Sequence, residues 1–377
     1  MEQAERSNKA GIKKIQPLDV DILVGLYEYR AMSTDQIQKR YGMTKAYTYR
    51  KLRLLRISGF ISSHPIIRYR SGQRSQGKYH RITREGLALL RTKGLQAEKK
   101  IHQLEVAENL VPFLLATNDL MIDLEPYGWV LSDSREIKSR FHMNRSDNIQ
   151  GTLQNIYTGS KEYGIYTYMH SVSEKNLEKM IREIKNYTSI YEHSTALVDY
   201  MIFKKGEQGF TDIVQTFTRE DNKELIARVR SLKIFPYTFG KYYLRQLEME
   251  EDLLRFACAI PENEMSFKRR FEKTEINPKY PGLDCLVTHK GEEKYFVNLV
   301  DNDLKKVFEL QQYKKEEYKK DGRKVLVYVI HTMKGLHEEV LRNYHHIEYL
   351  VVGKEIIQFL KQLQSLRRRA LDRGDII

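Results

Sequence analysis

Asp284 and Asp301 are the residues of this 377-residue chain whose setting comes nearest to hydrolytic chemistry. They flank two short strand patterns, Leu283–Val287 and Lys294–Val300, and a helical pattern with Leu304, Val307, Leu310 and Tyr313 follows. Carboxylates converging from neighbouring strands hold Mg²⁺, and a lysine beside them positions the attacking water. The spacing leaves such a site incomplete. The second strand offers Asn298 where a ligand would be needed, and strand alternation puts Asn298 and Val300 on one face and Asp301 on the other. A related segment earlier in the chain has Gln150 at the acid position, then Tyr168 and His170 on the next strand. Other chemistries are no better supplied. The sequence has no Gly-x-x-x-x-Gly-Lys-Ser/Thr phosphate loop and no Gly-x-Gly-x-x-Gly. It also lacks the His-x-His pair with which rolling-circle nickases hold a metal: His345 and His346 are adjacent and point to opposite faces of a strand. No metal cluster accompanies any of the 25 tyrosines. The two cysteines, Cys258 and Cys285, are isolated, which rules out a disulfide framework and fits a reducing cytoplasm. No catalytic residue, metal or cofactor is expected. A metal-dependent nickase or nuclease resting on Asp284 and Asp301 is the alternative.

Charge points to binding. Lys plus Arg number 64 against 50 Asp plus Glu, a net charge of +14. From Arg40 to Lys100 there are 16 basic residues and two acids, Glu85 and Glu98, so this window carries the whole excess. Such a concentration predicts a polyanion-binding module on a neutral body. A membrane surface is the competing polyanion, but the sequence has no run of 18 apolar residues and no basic amphipathic helix with a free apolar face. The polar start lacks an apolar core, so no secretory signal is expected. The expectation is a cytoplasmic protein without membrane contact.

The elements that must position these charges follow from periodicity and punctuation. Leu18, Ile22, Leu23, Leu26 and Tyr27 give one face of a helix over Leu18–Ala31. Ser33 caps a second helix to Arg40, and Gly42 breaks it. Thr44 caps a third, Lys45–Ile57, stopped by Gly59, with Ala46, Leu52 and Leu55 facing inward. Phe60–Ser63, Ile66–Arg70 and Lys78–Ile82 read as short strands, and Ser71–Gly77 as a Gly-bounded basic hairpin tip. A fourth helix starts at Thr83. This is the order of a winged helix-turn-helix, with the third helix in the major groove and the hairpin reaching phosphates. The candidate groove contacts are Lys45, Tyr47, Arg50, Lys51 and Arg53. The candidate wing contacts are Arg68, Arg70, Arg74 and Lys78.

Ala97–Ala116 reads as one long connecting helix with a stripe of Leu104, Ala107, Leu110, Val111, Leu114 and Leu115, and with His102 packed or capping near its start. Beyond it the pattern strand, strand, amphipathic helix, strand occurs twice, over Ile149–Phe203 and Leu283–Ile330, which predicts duplicated α/β modules. The expected domains are 1–95 (winged helix), 96–118 (connecting helix), 119–206 (first module), 207–279 (a helical segment with an irregular basic stretch, Phe267–Phe271) and 280–377 (second module with a C-terminal helix, Gly353–Asp372). The fold class is α/β overall.

The basic winged-helix pattern, the histidine-bearing helix after it, Trp129-Val-Leu-Ser-Asp-Ser-Arg-Glu136 and the strand–strand–helix beyond together resemble the replication-relaxation family. That family is encoded on plasmids and integrative elements of Gram-positive bacteria. The resemblance covers roughly residues 15–205 and, as a repeat, 280–331. Where the family reads like Phe-Leu-Glu-Val-Asp-Arg-Gly-Thr, this chain has Tyr166-Thr-Tyr-Met-His-Ser-Val-Ser173, so the acids are replaced. The second copy keeps Val300-Asp301 without the glutamate. The strand–strand–helix modules resemble PD-(D/E)xK nucleases in degenerate form. The resemblance implies a non-catalytic, sequence-specific duplex-DNA-binding protein of a mobile element, acting in replication, mobilisation or their control. Homo-oligomerisation and replication or transfer proteins are the expected partnerships. A transcription regulator with a sensing or dimerisation body is the other alternative.

Overall fold

The computed structural model describes residues 11–66, 77–157, 161–169, 172–188, 196–245, 249–353, 355–356 and 358–362. It is mixed α/β and divides into two compact units, residues 1–123 and 124–377. Among the described residues no helix is long and apolar enough to cross a membrane.

The first unit runs α1 (Pro17–Glu28), β1 (Met32–Ser33), α2 (Thr34–Arg40), α3 (Lys45–Ile57), β2 (Ile61–Pro65), β3 (Lys78–Ile82), α4 (Arg84–Thr92), α5 (Ile101–Leu104) and α6 (Val111–Leu124). Each of the first helices starts where a side chain can satisfy free amides. Pro17 opens α1, Ser33 accepts from Gln36 N at the start of α2, and Thr44 and Thr83 cap α3 and α4. Gly59, at φ 78°, ends α3, where Phe60 N donates back to Leu55 O. β2 and β3 pair antiparallel, and β1 pairs with the outer side of β3, giving the sheet order β1-β3-β2. The strand expected over 60–63 is β2, which runs to Pro65, and Ile66 N donates to Gly77 O; of the strand expected over 66–70 only Ile66 lies among the described residues. Residues 67–76 lie outside the described residues.

The connecting helix is corrected. Residues 97–116 form no single helix: α5 is one turn, residues 105–107 are extended, and α6 begins at Val111 with Pro112 in its first turn. Proline lacks an amide proton and clashes with the preceding turn, so it opens a helix and does not continue one. Leu110 and His102 are exposed, not packed. Val106, Val111 and Leu115 instead join Ala31 and Tyr79 in the core of the first unit. Gln36 Nε2 donates to Leu115 O (2.5 Å), and Asn118 Nδ2 donates to Tyr29 O and Ala31 O (3.0 and 2.6 Å). This unit therefore extends well past residue 95.

The second unit runs β4 (Trp129–Asp133), α7 (Ser134–Arg140), β5 (Gly151–Asn155), β6 (Glu162–Tyr168), α8 (Glu174–Thr188), β7 (Asp199–Lys204), α9 (Glu207–Phe217), α10 (Lys223–Arg228), β8 (Ser231–Pro236) and α11 (Tyr237–Leu244). It continues through α12 (Met249–Ala259), β9 (Met265–Arg270), β10 (Cys285–His289), β11 (Glu292–Asn298), α13 (Leu304–Leu310), α14 (Lys315–Asp321), β12 (Lys324–Ile330), α15 (His331–Val340) and β13 (Ile347–Val352). The strands form two five-stranded sheets, β4-β5-β6-β7-β8 and β9-β10-β11-β12-β13. In both, the first two pairings are antiparallel and the last two parallel. The repeated pattern is thus larger than the sequence suggests. Each copy gains one edge strand before and one after, and the 207–279 segment is no independent part, since β8 completes the first sheet and β9 the second. Phe267–Arg270, read as irregular, lies in β9. Residues 363–377, which include Arg367–Arg369 and the end of the expected last helix, lie outside the described residues.

A shared detail supports the duplication. Glu183 of α8 accepts a hydrogen bond from Asn148 N (2.7 Å), holding the loop that enters β5. Glu309 of α13 accepts from Gly282 N (3.0 Å), holding the loop that enters β10. Burial raises the pKa of both carboxyls.

Candidate nucleic-acid interface

Helix α3 is built from two opposed faces. Thr48, Lys51, Leu52 and Leu55 are buried, a stripe spaced three and four residues apart that packs on the first unit. The opposite side carries Lys45, Ala46, Tyr49, Arg50, Arg53 and Arg56, all exposed. Tyr47 is half-buried at the boundary, and its ring lies 5.2 Å from the Arg50 guanidinium. That contact pre-orders a long side chain that would otherwise lose rotamer freedom on binding.

Two placements differ from the sequence reading. Lys51 is not on the outer side. Its ammonium is buried 2.9 Å from Asp19 and donates to Gln16 Oε1 (2.8 Å), tying α3 to the start of α1. A buried carboxylate at the first turn of α1 needs a cation, and Lys51 is one helical turn from Leu55 on the inward stripe. Ala46, expected inside, is exposed, and Thr48 takes the core position. Sequence reasoning also passed over Tyr49, which is 53% exposed. The signal for it was present: Tyr49 lies three and four residues from Ala46 and Arg53.

Among the described residues, Lys45, Arg50, Arg53, Arg56 and Lys78 are exposed and have no carboxylate partner. Several cations of the second unit are paired, while others there, such as Lys279, Lys290 and Lys315, are also exposed without a carboxylate among the described residues. Arg140 pairs with Glu162, Arg228 with Glu224, Arg230 with Asp199, Lys268 with Glu293, and Arg269 with Glu275 at 3.1 Å. The basic window thus includes exposed cations that no carboxylate neutralises among the described residues. Lys78 begins β3, at the base of the hairpin, while Arg68, Arg70 and Arg74 lie outside the described residues.

Behind this surface the sheet holds a neutral histidine. His80 of β3 is buried between the Thr34 hydroxyl (3.0 Å) and the Ser63 hydroxyl (2.9 Å). Burial, aided by the charges of Lys78 and Arg56, pushes its pKa down to about 4. The imidazole joins β1–α2, β2 and β3 without adding a charge.

The sequence profile of the replication-relaxation family matches residues 23–197. That region, a little under half of the chain, is similar to the replication-relaxation family. No curated protein and no solved structure matches the chain. The replication-relaxation region takes in α3, the hairpin strands and β4 to α8, so it joins the basic face to most of the first sheet.

The carboxylates considered for chemistry have different surroundings from the basic face. Asp284 lies 2.9 Å from the Arg270 guanidinium. Asp301 is fully buried, with Lys233 Nζ at 2.8 Å and Lys306 Nζ at 3.5 Å. Burial alone would raise the Asp301 pKa, but the two ammonium groups outweigh it and hold the carboxyl below the usual range. Asp303 accepts hydrogen bonds from Ser231 Oγ (2.6 Å) and Leu232 N (2.9 Å), and Asn302 exchanges backbone and side-chain bonds with Ile234. The Asp301–Asp303 segment thus fastens the edge strand β8 of the first sheet to the second copy. Gln150, at the acid position of the first copy, bonds both ways with the Thr167 backbone (3.1 and 2.5 Å) and ties β5 to β6. Among the described residues no group of three or more His, Cys, Asp or Glu is gathered as a metal site.

Proposed function

We propose that this chain is a sequence-specific duplex-DNA-binding protein of a plasmid or related mobile element, acting in replication, mobilisation or their control. The observation that carries the reading is the outer face of α3, a row of exposed, unpaired cations on a helix whose other side is core. The order α1–β1–α2–α3–β2–β3 supports a winged helix-turn-helix, with α3 lying in the major groove and the β2–β3 hairpin, with Arg68, Arg70, Arg74 and Lys78, reaching phosphates. The family match over residues 23–197 supports the mobile-element setting. The two repeated modules are degenerate nuclease-like scaffolds. Gln150 and Asn298 stand where metal ligands would be, the nearby Asp301 is held by two lysines, and the modules serve self-association and the recruitment of replication or transfer proteins.

The test separates groove from backbone contacts. Arg50→Ala or Arg53→Ala should reduce preference for the selected site over random duplex by about 1–3 kcal/mol, the range for losing an arginine–guanine pair. Lys78→Ala and Arg74→Ala should weaken all duplexes alike, because phosphate contacts carry no sequence information. Competition binding against selected and scrambled duplexes reads both. Equal losses on the two DNAs for Arg50→Ala and Arg53→Ala would remove α3 from the groove.

A further inference from the structure

The outer face of α3 is not purely cationic. Ala46 and Tyr49 are exposed, three residues apart, and Arg50 and Arg53 continue the same stripe one turn further. A single exposed tyrosine needs no explanation. Here, though, an aromatic ring and a methyl group stand at the centre of a face whose remaining members are cations without carboxylate partners among the described residues. A surface that served only phosphate attraction would use charge throughout. Apolar groups in its middle fit an apolar group in the bound polyanion, and the major-groove edge of duplex DNA offers one, the thymine 5-methyl.

We infer that the stripe Ala46–Tyr49–Arg50–Arg53 reads a half-site in which thymine neighbours guanine. Ala46 and Tyr49 pack on thymine methyls, and Arg50, pre-ordered by the Tyr47 ring, and Arg53 pair with guanine O6 and N7. The inference rests on the DNA-binding reading above and adds to it the base class recognised and the residue that recognises it. Tyr49 acts through its ring and not its hydroxyl, so Tyr49→Phe retains the recognition and Tyr49→Ala loses it.

The test uses the full chain and chemically altered duplexes. Duplexes are first selected by binding from a random library. Each thymine of the enriched site is then replaced by deoxyuridine, which removes the methyl and leaves pairing intact. At one or two positions the wild type should lose about 3- to 5-fold in affinity, the ratio for one buried methyl-sized group. Tyr49→Phe should show the same loss. Tyr49→Ala should bind more weakly and no longer distinguish thymine from deoxyuridine there. Wild type that binds duplex DNA but treats thymine and deoxyuridine alike at every position overturns this inference and leaves the DNA-binding reading standing. A chain that binds no duplex overturns both.

Discussion

Arg50 and Lys51 follow each other in the chain, yet one stands in solvent over the Tyr47 ring and the other is buried against Asp19. Charge counting treats them alike; helix periodicity separates them, because Lys51 shares the stripe of Thr48, Leu52 and Leu55. The buried pair ties α3 to α1, and the exposed cation is the one the proposed function assigns to DNA. His80 shows the same division. Its folded pKa of about 4 lies below the ordinary 6.5. The unfolded chain therefore binds the proton first, and the stability this histidine contributes is present above pH 6.5 and lost as pH falls towards 4. At pH 5 the loss is about 2 kcal/mol by linkage. His80→Gln keeps hydrogen-bonding capacity without the titration. Denaturant midpoints at pH 7 and pH 5 should fall less for this variant than for the wild type. Equal falls would show that the imidazole is not held neutral.

At the scale of elements, the legible parts were those with local signals. Thr44 and Gly59 bound α3, Thr83 opens α4, and each does so through a hydrogen bond within its own few residues. β1 was not legible, because two residues carry no periodicity and pair only through the distant β3. β8 and β9 were missed for the same reason: edge strands are fixed by neighbours far along the chain, and Phe267–Arg270 reads as a charge run until β10 is placed beside it. The connecting helix was misread although Pro112 marked the break. Its apolar spacing is real, but Val106, Val111 and Leu115 serve the first unit's core from two separate segments. A fragment ending at residue 95 therefore lacks three core side chains, each worth about 1.5–3 kcal/mol, together with the bonds from Gln36 and Asn118. That loss rivals the whole stability of a small domain. Residues 1–123 should unfold cooperatively in a thermal melt followed by circular dichroism, and residues 1–95 should not. A cooperative transition in the shorter fragment would contradict the placement of α6.

For the whole molecule, the excess positive charge lies in residues 40–100 and the rest of the chain is neutral. The second unit repeats one five-stranded plan, and two of its buried carboxylates are met by cations, Asp301 by Lys233 and Lys306 and Asp199 by Arg230. On the proposed reading, the exposed cations of α3 and the hairpin base meet duplex DNA. The central claim is tested most directly by the salt dependence of duplex binding to the full chain, measured by fluorescence anisotropy. Six phosphate contacts give a slope of about −5 in log K against log salt. The variant carrying Arg70→Ala, Arg74→Ala and Lys78→Ala should bind more weakly and with a slope shallower by about 3, as the loss of three phosphate contacts requires. A wild-type chain without duplex affinity at low salt, or a triple variant with unchanged affinity and slope, would contradict the account.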